Sequence, residues 1–170
     1  MTQEESDKYY LKVADICSEN SKAERLQVGA ILVKDKQIIS DGFNGTPSGF
    51  DNNCEYLIPV EGSDLEHHYG KEVTDDATIR YIKSHYSSEE YRLKTKPEVL
   101  HAEANAITKC ARMGHSSEGA TIYITHCPCI NCSKLIIQAG IKRVVYRNPY
   151  KAIDGLELLQ RAGIQIEKHN

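Results

Sequence analysis

The sequence predicts an α/β domain in which helices cover both faces of a mixed sheet of about five strands, a three-layer α/β/α arrangement. Three observations predict it. From residue 100 onward helical and strand-like patterns alternate as α-β-α-β-α-β, the order that builds parallel strands joined by crossover helices. Upstream, two β-rich runs at 28–33 and 37–41 flank the polar turn "KDK", an antiparallel hairpin signal. Finally, 170 residues suffice for one domain to bury a core of its own. With no internal repeat in view, residues 1–170 are read as a single domain.

The elements follow in order. Residues 4–19 bring Tyr9, Val13 and Ile16 together with Tyr10, Ala14 and Cys17 at helical spacing, so the chain opens on a helix. The hairpin comes next and leaves through "FNGTPSGF", a loop of turn residues. Residues 51–99 differ in character: polar, rich in Tyr, and carrying Cys54, His67, His68 and His85. A helix is expected at about 74–86, and the rest reads as a long insertion of the kind that is usually functional or disordered. "HAEANAITKCARMG" is then a helix stopping at Gly114. "ATIYIT" is a buried-type strand, "CINCSKLIIQAG" a helix closing on Gly140, and "KRVVYR" another strand. "AIDGLELLQRAG" and "IQIEKH" supply the last helix and a short last strand.

Composition narrows the function classes. The formal charge is −3 and the Lys and Arg residues are scattered, which argues against a protein that grips long nucleic acid. A small anionic ligand held by two or three cations stays open. No apolar run approaches the roughly 18–20 residues of a membrane span, and the acidic "MTQEESDKYY" is unlike a secretory signal. Of the six cysteines, Cys127, Cys129 and Cys132 are too crowded for an ordinary bridge network. The expectation is a cytoplasmic protein with reduced thiols, some of them on a metal. Cys17 and Cys110 lie among apolar neighbours and read as small buried hydrophobes.

The chemistry concentrates in "HAEANAI" and "THCPCINCSK". Cys129 and Cys132 stand three apart at the start of a helix, so their sulfurs share a face, and Pro128 suits a helix start. The positive end of the helix dipole favours thiolate. His101 opens another helix and supplies an imidazole. One imidazole and two thiolates bind zinc with one tetrahedral position left for water, the pattern of a catalytic site. Zinc lowers the pKa of such a water to about 7. Glu103, two residues after His101, points away from the ligand direction and stands beside the metal as a proton carrier. Cys127 is a fourth candidate that would close the site into a structural zinc. It precedes Pro128 at a strand end, displaced from the face shared by the other two. A redox pair with an ordinary surface histidine is the remaining alternative, and His126 is read as a loop residue.

H-x-E followed by P-C-x-x-C is the signature of zinc-dependent nucleobase deaminases, matched by residues 101–103 and 128–132. The chain resembles the zinc-dependent cytidine/deoxycytidylate deaminase family, and within it the deoxycytidylate (dCMP) deaminases. "HAEANAI" with its Asn105, "GFNGTPSG" at 42–49, the insertion at about 51–99, and "QVGAILV", "EGATIYIT" and "AGIKRVVY" are similar to that group in order, over nearly the whole chain. The resemblance implies a cytidine deaminase-like fold and hydrolysis of dCMP to dUMP and ammonia, feeding thymidylate synthesis. Glu103 would move protons from the attacking water to N3 and then to the amine leaving C4. One zinc ion would sit on His101, Cys129 and Cys132.

Further roles come from the same resemblance. The backbone near Ala102 and Cys129 would hold the base edge, and Asn44 the sugar 3′-hydroxyl, although Asn44 before Gly45 also suits a positive-φ turn. Tyr146 and Tyr150 would lie near base or sugar-phosphate. Lys22, Arg25, Arg147 and Lys151 are candidates for the 5′-phosphate, Arg25 first. The resemblance also implies a homohexamer activated by dCTP and inhibited by dTTP. The backbone N–H groups of Gly42, Asn44, Gly45 and Gly49 would cradle the regulatory triphosphate, with Mg²⁺. Some relatives bind a second zinc through a cysteine ahead of the hairpin. "SKAERLQVGA" has none, so one zinc is expected. The alternatives are a deaminase of a free nucleoside, a base or a polynucleotide, and a zinc-stabilised binding module without enzymatic activity.

Overall fold

A computed structural model describes residues 1–150 and 153–169. In chain order the elements are α1 (Gln3–Ser18), β1 (Gly29–Lys34), β2 (Gln37–Phe43), β3 (Glu55–Pro59), α2 (Asp64–Tyr69), α3 (Asp76–His85) and β4 (Tyr91–Thr95). Then follow α4 (Ala102–Arg112), β5 (Thr121–His126), α5 (Ile130–Gln138), β6 (Arg143–Asn148), α6 (Asp154–Arg161) and β7 (Gln165–Lys168). They divide into two compact units, Met1–Lys22 with Gln27–Gly45 and Leu100–Asn170 in one, Ala23–Leu26 with Thr46–Val99 in the other.

The first unit is the expected mixed five-stranded sheet, ordered β2-β1-β5-β6-β7. β1 runs antiparallel to both β2 and β5, while β5, β6 and β7 are parallel and linked through helices. Strand alternation feeds two cores. Ile31, Val33, Tyr123 and Val145 face Tyr10, Leu11 and Ala14 of α1. Ala30, Leu32, Ile122, Ile124 and Val144 face Ala102, Ala106, Cys110, Ile136 and Leu159 of α4, α5 and α6. Strands apolar on both sides are what a sheet buried between helix layers requires.

Local chemistry sets the ends of these elements. Thr2 and Glu5 form a reciprocal capping box at the start of α1. Asp35 and Lys36 both take positive φ, 50° and 62°, the two-residue turn whose twist matches a hairpin. Gly114 and Gly140 end their helices at φ 75° and 70°, a conformation costly for any other residue.

A polar network crosses the α1 face. Asp7, fully buried, accepts both terminal nitrogens of Arg143 at 2.8 and 2.7 Å, and the Tyr123 hydroxyl at 2.8 Å. Arg143 also pairs with Glu167. This ties α1 to β5, β6 and β7, and apolar periodicity gives no sign of it.

The second unit has its own small core of Leu57, Leu65, Val73, Ile79 and Ile82. α3 falls within the predicted helix at about 74–86. The antiparallel β3–β4 pair and α2 were not expected. "YRLKT" is charged and "EYLIP" ends in proline, so neither carries the usual strand signal. Among the described residues no helix is long and apolar enough to cross a membrane.

Candidate active site

Two helix starts meet on the α4–α6 side of the sheet. His101 is the N-cap residue of α4 (φ −72°, ψ 155°) and Cys129 the N-cap residue of α5 (φ −73°, ψ 169°). Such positions usually carry a side chain that bonds the helix's own free N–H groups. Neither side chain does so here; both turn to each other. His101 Nδ1 lies 3.5 Å from Cys129 Sγ and 3.4 Å from Cys132 Sγ, which comes from the first turn of α5. The three donor atoms lie within 4.8 Å of one another, and no other such group of three His, Cys or carboxylate side chains occurs among the described residues.

These spacings fit zinc. Nitrogen and sulfur bonded to zinc at tetrahedral angles stand about 3.5 Å apart, from bond lengths of about 2.0 and 2.3 Å. The donor set, one imidazole and two thiolates, is also the soft, borderline set that zinc takes. Protonation prepares it. Cys129 is held down at about 3, first by its hydrogen bond with Cys132 and then by His101. Cys132 is pushed far up, because the bond to Cys129 leaves it the proton and burial disfavours its thiolate. His101 is raised chiefly by its bond to Cys129. The cluster thus favours one thiolate at Cys129, and a cation bound there would take the place of the remaining protons.

Glu103 stands in the first turn of α4, 4% exposed. Burial raises its carboxyl from 4.5 to about 7, against the stabilising pull of its own backbone N–H and of His101. That value suits a group that must both take and return a proton near neutrality. Cys127 is placed elsewhere. Its Sγ accepts the Tyr150 N–H at 3.1 Å, its own N–H donates to Asn148 O, and burial pushes its thiol up. It is not in the donor group, so three protein ligands converge. His126 turns Nδ1 to Thr125 Oγ1 at 3.1 Å.

The other sequence-predicted residues fall in several places. Ala102 is buried beside His101, and Tyr146 is buried on β6. Tyr150 is half exposed. Asn44 does not take positive φ, so the turn reading is corrected. Its Oδ1 accepts the Val28 N–H at 2.7 Å and its own N–H donates to Val28 O, which fastens it just past the end of β2. The N–H groups of Asn44 and Gly45 are therefore engaged, the latter with Leu100 O at 3.1 Å. Gly42 is buried in the ladder opposite Ala30. Of the four residues expected to cradle a triphosphate, only Gly49 is exposed, at φ 95°. Arg25 belongs to the second unit, where its guanidinium donates to Thr95 Oγ1 at 3.0 Å. Lys22 is exposed, Arg147 pairs with Asp15, and Lys151 lies outside the described residues.

Two positions matter more than the sequence suggested. Asn105 Nδ2 donates to Phe43 O at 2.9 Å, fastening α4 to β2. Gly42 lets α4 approach: a Cβ there would stand 2.3 Å from Ala102 O and 2.5 Å from Ala106 N. The motif letters pointed to both residues but not to this shared task.

Fold and site together define a zinc-binding deaminase domain, and residues 4–148 match the family model of the cytidine and deoxycytidylate deaminase zinc-binding region. The chain belongs to that family. Within it, the chain is 38% identical over 168 residues to the deoxycytidylate deaminase of Enterobacteria phage T4, covering 92% of this chain and 86% of that protein. It is 33% identical to ComE operon protein 2 of Bacillus subtilis, over 95% of this chain and 70% of that one. The crystal structure of the dCMP deaminase from cyanophage S-TIM5, in complex with dCMP and dUMP, superposes with a TM-score of 0.74 at 36% identity, covering 99% of each chain.

Proposed function

We propose that this chain hydrolyses dCMP to dUMP and ammonia, with dUMP passing to thymidylate synthesis. The observation that carries the reading is the convergence of His101, Cys129 and Cys132 beside the buried carboxyl of Glu103. The likeness to proteins named deoxycytidylate deaminase, over most of their length, supports the choice of nucleotide.

His101, Cys129 and Cys132 would hold the metal. When bound, zinc supplies a Lewis acid that makes water a competent nucleophile at neutral pH. Glu103 does the proton work. As a carboxylate it accepts a proton from the attacking water and delivers it to cytosine N3. It then takes the second water proton and gives it to the amine as the bond to C4 breaks, so ammonia leaves and Glu103 returns to its starting form. Burial keeps bulk water from short-circuiting these transfers. Backbone near Ala102 and Cys129 orients the base edge, Asn44 the sugar 3′-hydroxyl, and Arg25 the 5′-phosphate. Tyr146 and Tyr150 border the nucleotide.

Regulation by dCTP and dTTP within a homohexamer belongs to the same proposal and rests on the family resemblance. Saturation curves for dCMP should change shape with dCTP, and sedimentation should give six chains. Identical curves, or a smaller particle that is fully active, would remove these parts alone. The reaction itself is tested by comparing turnover of dCMP, deoxycytidine and single-stranded DNA. Preference for dCMP is expected; equal use of deoxycytidine would refute a site built for the phosphate.

A further inference from the structure

The metal ligands sit on two helix starts, and each start rests against a glycine. Gly42 beneath α4 has been described. The other is Gly155, the second residue of α6, which is buried. A Cβ at Gly155 would stand 2.3 Å from Pro128 O, 2.9 Å from the carbonyl carbon of Cys129 and 2.8 Å from Ser133 Oγ. Two of these three atoms are backbone, and they belong to the turn that presents Cys129. The third is a buried hydroxyl with no hydrogen-bond partner among the described residues, filling the space a side chain at 155 would need. Leu159, one turn further along α6 and fully buried, anchors the helix in the core, so α6 has little freedom to retreat.

We infer that Gly155 is a positioning residue for the metal ligand Cys129. The contact acts at the Cys129 peptide, next to the Cα from which the thiolate hangs. Cys129 O also accepts the Ser133 N–H at 2.9 Å, a bond of the opening turn of α5. Pushing this peptide moves Sγ relative to His101 Nδ1, whose helix α4 is seated separately on Gly42. Close packing of α6 thus sets one edge of the donor triangle without touching substrate. Side chains at 155 are excluded by the ligand loop and not by helix propensity, for which alanine is the better residue.

The inference rests on the reading that His101, Cys129 and Cys132 hold a metal, and the test separates the two. Wild type, G155A and G163A are stripped of metal and titrated with Co²⁺ and Zn²⁺. Gly163 has φ 74° and open space at its Cβ, so G163A strains the backbone away from the ligands and serves as a stability control. Wild type should bind one ion with thiolate-to-cobalt absorption; failure there overturns the metal reading itself. G155A should show a changed cobalt spectrum and at least tenfold weaker zinc binding, while G163A loses thermal stability with an unchanged spectrum. A G155A protein with wild-type spectrum and affinity overturns the positioning role, as does a G163A control that loses affinity equally at equal destabilisation. Should G155A not fold, S133A/G155A, which removes the hydroxyl contact, carries the same comparison.

Discussion

Replacing Asp7 by alanine should destabilise the folded protein by about 3–5 kcal/mol, the range for stripping one partner from a buried ion pair. Asp7 is completely buried and accepts from Arg143 at 2.7 and 2.8 Å, Tyr123 at 2.8 Å and Gln3 at 3.0 Å. Without it Arg143, whose side chain is only 11% exposed, keeps the more exposed Glu167 as its anionic partner, and the Tyr123 hydroxyl loses its acceptor. An exposed pair lost in the same way costs no more than about 1 kcal/mol, so the two cases are separable. Urea unfolding followed by circular dichroism measures the difference. With a slope of about 2 kcal/mol per molar, the midpoint should fall by about 2 M. A fall below about 0.5 M would mean that desolvation cancels the pairing, and the account of this network would be wrong. The pH dependence checks the sign. Burial alone would raise the Asp7 pKa, but the bonds from Arg143, Tyr123 and Gln3 overcome it and the net value lies below 3.8. The stabilisation is therefore present above the unfolded value near 3.8 and is lost as pH falls through the lower folded value. The gap between wild type and variant should hold from neutrality down to about pH 4 and close only below it. The network lies on the α1 face, so folded Asp7→Ala should bind zinc as wild type does.

Other outcomes follow from the site. Glu103→Gln keeps the side-chain volume, so zinc content should stay the same while dCMP turnover falls roughly 10²- to 10⁴-fold; retained activity would remove Glu103 as proton carrier. Cys129→Ser and Cys132→Ser should each lose zinc on metal analysis, whereas Cys127→Ser should keep it. Gly42→Ala drives a Cβ into Ala102 O and Ala106 N and should cost about 1–3 kcal/mol; an unchanged melting temperature would mean that α4 is free to retreat. Arg25→Ala should raise KM for dCMP and leave deoxycytidine turnover unchanged, and equal effects on both would take the phosphate away from Arg25.

What the sequence made legible was local or periodic. The hairpin turn showed in its polar residues, the stops at Gly114 and Gly140 in single glycines, and the sheet in strands apolar on both faces. His101, Glu103, Cys129 and Cys132 were readable because ligand chemistry restricts residue type and spacing together. The illegible parts depend on long-range docking. Asp7 and Arg143 meet only when α1 lies across β6, and no apolar pattern marks a buried ion pair. Gly155 reads as an ordinary, slightly unfavourable helix residue until α6 is set against Pro128. Asn44 before Gly45 suggested a left-handed turn, but its bonds with Val28 fasten it beside β1 without positive φ. In the insertion, β3 and β4 pair across two helices, and their charged or proline-bearing sequences hide the alternation.

The central claim is a metal held by one imidazole and two thiolates with Cys127 left out. X-ray absorption at the zinc edge of the purified protein tests it most directly, because sulfur and nitrogen ligands separate by distance, about 2.3 against 2.0–2.1 Å. Two sulfurs per zinc, with nitrogen or oxygen completing the shell, is the predicted result. Three sulfurs would place Cys127 on the metal, close the fourth position and contradict the account.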